Sequence, residues 1–270
     1  MSFEFFIGPC VLESEELCAE IIEFLQDFFS TYPEINWYFK GSFDKANRTS
    51  FSSYRGPGLE KGLEIFSAVI QKYKIKTITD IHLPEQAIPV AKVVDILQIP
   101  AFLCRQTDLL LAASKACANE NRILNIKKAQ FLAPWDMKNV LEKVLSILPL
   151  EQIRITERGT CFGYNTLITD FSGIEILKSF GAKVIYDATH SLQKPGGLGT
   201  QTGGQREAFF PMTAAAIASG VEGIFMEVHP DPSKALSDAS TSISLTDVKK
   251  FLPKLLSLQH FTKTLYDELL

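Results

Sequence analysis

Short runs of β-branched and aromatic residues alternate with longer stretches whose apolar positions recur at three- and four-residue spacing, from one end of the chain to the other. The short runs predict strands at Glu4–Ile7, Asn36–Phe39, Lys76–Thr79, Val94–Leu97, Ile123–Ile126, Gln152–Thr156, Lys183–Tyr186 and Gly223–Met226. The amphipathic stretches predict helices at Glu15–Phe29, Gly58–Tyr73, Pro84–Lys92, Asp108–Ala118, Asp136–Ile147, Ser172–Phe180 and Phe209–Ser219. A last helix is expected at Leu245–Leu256, extending with a kink at Pro253 toward Leu269. Strands separated by connections long enough for crossover helices describe a parallel sheet. Eight such units predict an α/β chain folded as a single (β/α)8 barrel over residues 1–270, with its site at the carboxyl ends of the strands. An open doubly wound sheet is the alternative, but Gly8-Pro9-Cys10 stands where its G-x-G-x-x-G would follow the first strand. No linker composition or internal repeat divides the chain.

Composition narrows the setting. The chain has 270 residues, 46% of them hydrophobic, enough for one full core. Its most apolar stretches are broken by charge within a few residues, which excludes a spanning helix, and the opening residues lack the basic and apolar regions of a secretory signal. The five cysteines, Cys10, Cys18, Cys104, Cys117 and Cys161, are scattered singly, as expected for reduced thiols in a cytosol. A net charge of -4 without long basic runs argues against nucleic acid as a partner.

Against that acidic background, residues 40–48 (Lys-Gly-Ser-Phe-Asp-Lys-Ala-Asn-Arg) concentrate Lys40, Lys45 and Arg48 beside Asn47. Polar groups recur after the other strands: Cys10 after the first; Asp80 and His82 after the third; Gln98, Arg105 and Gln106 after the fourth. Lys127 and Lys128 follow the fifth, Glu157 and Arg158 the sixth, Asp187 and His190 the seventh, Glu227 and His229 the eighth. Six cations, Lys40, Lys45, Arg48, Arg105, Lys127 and Arg158, would then face one mouth. A phosphate monoester carries about -1.5 to -2 at neutral pH, so this excess suits phosphorylated, anionic ligands rather than a neutral sugar.

Cys10, His190, Glu227 and Asp238 come from the first, seventh and eighth strand ends and the loop beyond, which are neighbours in a closed barrel. Thiolate, imidazole and carboxylate together suit one divalent ion such as zinc, iron(II) or manganese, whereas an inert buried Cys10 is the plainer alternative. His229 is a further ligand candidate, and His82 a substrate contact or a support for one. Residues 193–205 hold five glycines and read either as a lid or as an idle connection; without G-K-[ST] they are no phosphate-binding Walker loop.

These segments together resemble the 3-deoxy-D-manno-octulosonate 8-phosphate synthases. The likeness rests on residues 40–48, Ser53-Tyr-Arg-Gly-Pro-Gly-Leu59, Thr79-Asp-Ile-His82, residues 97–108, Asn125-Ile-Lys-Lys128, Glu157-Arg-Gly159, Phe162-Gly-Tyr164, Asp187-Ala-Thr-His190 and Glu227-Val-His-Pro-Asp231. Related seven-carbon (DAHP) synthases typically carry Lys-Pro-Arg-Thr where this chain has Lys45-Ala-Asn-Arg48. The resemblance implies condensation of phosphoenolpyruvate with arabinose 5-phosphate in a cytoplasmic homotetramer, a step toward the KDO of lipopolysaccharide. It implies that Lys40, Ser42, Lys45, Gln98, Lys127 and Arg158 hold phosphoenolpyruvate and that Asn47, Arg48 and Thr49 take the sugar phosphate. Asp80 and His82 would border the substrates, Arg105 would reach a neighbouring subunit's sugar phosphate, and Lys127, His190, Glu227 and Asp238 would serve the chemistry. Cysteine at position 10, where metal-independent members carry asparagine, and Asp238 resemble the metal-dependent branch. Three alternatives stay open: a DAHP synthase using erythrose 4-phosphate, a non-catalytic phosphosugar-binding barrel, and a metal-dependent aldolase acting on a ketose phosphate.

Overall fold

The computed structural model describes residues 2–48, 50–197 and 202–269. Its principal sheet contains β1 (Glu4–Gly8), β2 (Asn36–Lys40), β3 (Lys76–Asp80), β4 (Ile96–Ile99), β5 (Ile123–Lys127), β6 (Ile153–Glu157), β7 (Lys183–Asp187) and β8 (Gly223–His229). Each pairs in parallel with the next, and β8 returns to β1 with Gly223 opposite Glu4 and Glu227 opposite Gly8. The crossovers carry α1 (Glu15–Ser30), α2 (Leu59–Tyr73), α3 (Ala87–Ala91), α4 (Thr107–Glu120), α5 (Met137–Leu145), α6 (Phe171–Lys178) and α7 (Phe209–Ala218), and α8 (Leu245–Leu269) follows β8. This is the predicted (β/α)8 barrel. No helix among the described residues is long and apolar enough to cross a membrane.

Alternation along the strands sorts side chains between two cores. Phe5 and Ile7 of β1 point outward into the large cluster shared with the helices, whereas Phe6 joins Tyr38, Ile78, Ile96, Ile185 and Phe225 in a small cluster inside the barrel. Below that cluster lies a buried ionic base, where Glu4 accepts from Arg154 Nε at 2.9 Å and from Lys183 Nζ at 2.8 Å. Above it, Asn125 Nδ2 donates to Gln98 Oε1 (3.1 Å) and Thr156 Oγ1 donates to Asn125 Oδ1 (2.7 Å). Inward positions above this polar belt are Lys40, Asp80, Lys127, Asp187 and Glu227, each the last or a near-last residue of its strand. The apolar interior therefore stops short of the carboxyl rim, which leaves a floor on which charge can be arranged.

The predicted helices are present, and two of them begin at side-chain caps. Ser14 Oγ accepts from Leu17 N (3.1 Å) to start α1, and Asp170 Oδ1 accepts from Gly173 N (3.0 Å) to start α6. Two local expectations shift. The fourth strand runs two residues later than predicted, because Asp95 is committed to Thr77, donating its N–H to that carbonyl and accepting the Thr77 N–H at 2.8 Å. The stretch predicted as one helix at Pro84–Lys92 divides into a 3-10 turn at Pro84–Gln86 and the short α3. The last helix, α8, runs on through Pro253 to Leu269, as expected.

Candidate active site

The last inward residue of β2, Lys40, is 2% exposed, and its ammonium donates to the Pro9 and Cys10 carbonyls (3.1 and 2.7 Å) and to Glu227 Oε1 (2.5 Å). That fit depends on Gly8, since a Cβ there would lie 2.0 Å from the Lys40 carbonyl oxygen. From β5, Lys127 donates to Asp187 Oδ2 at 2.6 Å and stands 3.5 Å above the centre of the Phe225 ring. Burial, only partly offset by Asp187, lowers the Lys127 pKa. Burial works against charge on Lys45 too, but there it is outweighed by the Cys10 thiolate when formed and by Glu227, Asp80 and Asp238.

The carboxylates are held ionised. Burial would raise Asp187, yet His190, Lys127 and Arg158 outweigh it and hold the carboxyl well below its usual range. In the same way Lys40, His190 and Lys45 outweigh burial at Glu227, and the His82 bond with Lys45 and Lys40 outweighs it at Asp80. Asp80 also accepts from Ser42 Oγ at 2.5 Å and meets His82 Nε2 at 3.0 Å. His190 Nδ1 faces Asp187 at 2.9 Å, which fixes the proton there and turns Nε2 toward Glu227 Oε1 (3.6 Å) and Asp238 Oδ2 (3.8 Å). Cys10 Sγ lies 3.1 Å from that same Asp238 oxygen, and burial, then Asp238 and Glu227, push its thiol pKa up.

Two adjoining cavities, of about 540 and 180 Å³, open over these groups and share Lys45, Asn47, Phe102, Gln130, Arg158 and His190. Buried polar atoms without a partner gather around them: Arg48 Nε, His82 Nδ1, Gln130 Oε1, Arg158 Nη1 and Glu227 Oε2. An unmade hydrogen bond in a buried place costs about 1–3 kcal/mol, so such a concentration marks a surface completed by ligands. Arg48 and Arg158 border the wide cavity, and Glu227 belongs to the Cys10 cluster.

The family model for the DAHP synthetase I family matches residues 2–264. The 2-dehydro-3-deoxyphosphooctonate aldolase of Desulfotalea psychrophila is 50% identical over 252 residues, covering 93% of this chain and 88% of its own. The protein of the same name from Desulfatibacillum aliphaticivorans is 50% identical (93% and 90% covered), and that from a Cyanothece species 48% (93% and 90%). The chain belongs to the DAHP synthetase I family, among its 2-dehydro-3-deoxyphosphooctonate aldolases.

Within this family member, the structure brings together Cys10, Lys40, Ser42, Lys45, Asn47, Arg48, Asp80, His82, Gln98, Lys127, Arg158, His190, Glu227 and Asp238 around one mouth. Thr49 lies outside the described residues. Arg105 departs from the expectation that six cations face this one mouth. It is exposed, borders neither cavity, and its carbonyl accepts from Lys143 at 3.4 Å, because the 3-10 turn at Ala101–Leu103 carries it to the outer flank. Lys128 and Glu157 also leave the rim. Alternation turns both outward, where they form a buried pair at 3.3 Å, while Arg158 points in. His229 lies outside the cluster of Cys10, Glu227 and Asp238; its Nδ1 accepts from Asp231 N at 3.0 Å and its Nε2 lies 3.7 Å from Glu13.

Sequence reasoning passed over Gln130, Ser237 and Phe225. Period-two counting back from Glu227 would have placed Phe225 under the lysines. Ser237, which accepts from Arg48 Nη1 at 2.5 Å, comes from a loop whose path no local pattern fixes. Of the glycine-rich segment, Gln193–Lys194 pairs antiparallel with Gly203–Gly204, and residues 198–201 lie outside the described residues. The paired ends therefore have regular structure where none was expected.

Proposed function

We propose that this chain condenses phosphoenolpyruvate with arabinose 5-phosphate and water, giving 3-deoxy-D-manno-octulosonate 8-phosphate and inorganic phosphate. The observation that carries the reading is the convergence of Lys40, Lys45, Arg48, Lys127 and Arg158 on one mouth, in a chain half identical to relatives bearing that product's name. Two phosphorylated reactants repel each other, and a rim of fixed cations offsets that repulsion while aligning the reacting carbons. The phosphoenolpyruvate carboxylate is assigned to Lys40 and Lys45 and its phosphate to Lys127 and Arg158. The sugar phosphate is assigned to Arg48, with Asn47 beside it. Carbon C3 of the enol adds to the aldehyde, water adds at C2, and phosphate leaves by C–O cleavage. The Nδ1 contact to Asp187 leaves His190 Nε2 as an acceptor facing Glu227 and Asp238.

Cys10, Glu227, Asp238 and His190 are read as the holders of one divalent ion, zinc, iron(II) or manganese. The donor set fits: the Cys10 sulfur and the Glu227 and Asp238 oxygens meet, His190 Nε2 stands 3.6 and 3.8 Å from those two carboxylates, and Glu227 Oε2 is buried without a partner although Oε1 is held by Lys40. Such an ion, when bound, supplies positive charge that polarises a carbonyl or acidifies a water.

A homotetramer is the assembly this reading favours. Phe102, Phe131, Trp135 and Phe162 expose large apolar rings on the adjoining loops after β4, β5 and β6. A second copy covering that face would bring Arg105, on the same flank, toward a neighbouring mouth. Trp135→Asp should therefore lower the mass seen by light scattering, and an unchanged mass would remove this face from the interface.

The decisive assay follows inorganic phosphate from phosphoenolpyruvate with arabinose 5-phosphate or erythrose 4-phosphate, with and without chelator. Release with the five-carbon sugar, silenced by chelation and restored by a divalent ion, is the expected result. Release only with the four-carbon sugar would reassign the substrate. Binding without release would make the barrel a sensor, and full rate after chelation would discard the metal assignment.

A further inference from the structure

Gln193 stands between the two halves of the site. Its Oε1 accepts from Arg158 Nη2 at 2.9 Å, and its Nε2 donates to Asp238 Oδ1 at 3.2 Å. A guanidinium only donates and an ionised carboxylate only accepts, so one orientation of the amide satisfies both neighbours. The other Asp238 oxygen, Oδ2, faces Cys10 Sγ at 3.1 Å, and Arg158 keeps Nη1 buried and without a partner beside the cavity. The amide thus fixes an anion-seeking fork on one side and the carboxylate of the thiol–carboxylate cluster on the other.

The backbone beneath Gln193 is tied to the same turn. Lys194 pairs with Gly203, and Gln193 with Gly204, whose missing side chain leaves room for Thr241; a Cβ there would lie 2.3 Å from Thr241 Cγ2. Ser240 Oγ donates to the Thr202 carbonyl at 3.1 Å, and Arg206 donates to the Ala239 carbonyl. Asp238 itself sits at φ 49, a left-handed conformation that its surroundings must hold.

We propose that Gln193 is a positioning residue that couples anion occupancy at Arg158 to ion occupancy at Asp238, so that each ligand tightens the other. The proposal rests on the reading of Cys10, Glu227 and Asp238 as an ion site. Either ligand immobilises one end of the amide, and the second then binds a partner whose freedom has already been lost.

The test titrates cadmium(II) into chelator-treated protein, following thiolate-to-cadmium absorption, with and without phosphoenolpyruvate alone. Wild-type protein should bind cadmium about tenfold tighter with phosphoenolpyruvate present, and the reciprocal titration should give the same factor. Gln193→Leu, and independently Gln193→Glu, should cut that factor to about twofold, the residue of direct attraction between the two charges. A wild-type factor near one, or an undiminished factor in both variants, would overturn the coupling while leaving the ion site standing. Absorption missing from wild type, or persisting in Cys10→Ser, would overturn the ion site and the coupling with it.

Discussion

Lys127 is held at the mouth with only one of its hydrogens spent: Asp187 takes that hydrogen, the Phe225 ring closes one side, and burial presses the ammonium toward the neutral form. It lines the smaller cavity, so its remaining hydrogens are available to a ligand there. Lys127→Ala should therefore lower kcat/KM for phosphoenolpyruvate by about 100- to 1000-fold, the cost of one preorganised electrostatic donor. Circular dichroism and the urea midpoint should show a folded protein, and near-normal turnover would remove Lys127 from the site. Most residues in this site were legible from their place after a strand. Lys128 and Glu157 follow the strand alternation outward, and Arg105 is carried away from this chain's own mouth by the turn at Ala101–Leu103, a path that no local pattern fixes. Gln193 was visible only as the start of a glycine-rich run, since its two partners lie 35 and 45 residues away.

Strands that are buried on both faces carry apolar residues outward, toward the helices, and a graded series inward. In β1 the inward series is Glu4, Phe6, Gly8, passing from ionic base through apolar middle to a position where any side chain would collide with Lys40. Gly8→Ala must push β2 away from β1 at the point where the Lys40 ammonium is fixed. A loss of about 3 kcal/mol is expected from urea denaturation, together with weakened phosphoenolpyruvate binding by calorimetry. Unchanged stability and affinity would show that the β1–β2 contact yields at no cost. The sequence placed most strand ends one residue short, at Ile7, Phe39, Thr79, Ile126, Thr156 and Tyr186. The reason is the same each time: the final residue is glycine or charged, which local pattern assigns to a loop although the ladder continues through it.

For the barrel as a whole, the Glu4–Arg154–Lys183 group ties β1, β6 and β7 together at the end away from the site. Burial would raise the Glu4 pKa, but bonding and charge from Arg154 and then Lys183 outweigh it and lower the carboxyl below 4.5. A depressed carboxylate contributes stability that is fully present above its unfolded pKa and is lost as pH falls through the folded value. Glu4→Gln should cost about 3–5 kcal/mol at pH 7, because it leaves the buried Arg154 and the half-buried Lys183 without their charge partner. The gap between variant and wild type, measured by urea denaturation, should hold from pH 7 to pH 5 and narrow only in more acid solution. A constant gap down to the acid transition would mean that Glu4 is not ionised in the folded barrel.

What the chain determined by itself was periodicity and count: eight apolar runs, helices between them, a cationic excess after the strands, and the residue types of the Cys10 cluster. Tertiary structure alone decided which of those residues face one another. Closure of β8 onto β1 brings Cys10 to Glu227, the turn at Asp238 is held by groups distant in sequence, and Gln193 joins the two halves of the mouth. Local pattern is set by contacts a few residues apart, whereas these meetings depend on barrel closure and on loop paths fixed by long-range hydrogen bonds.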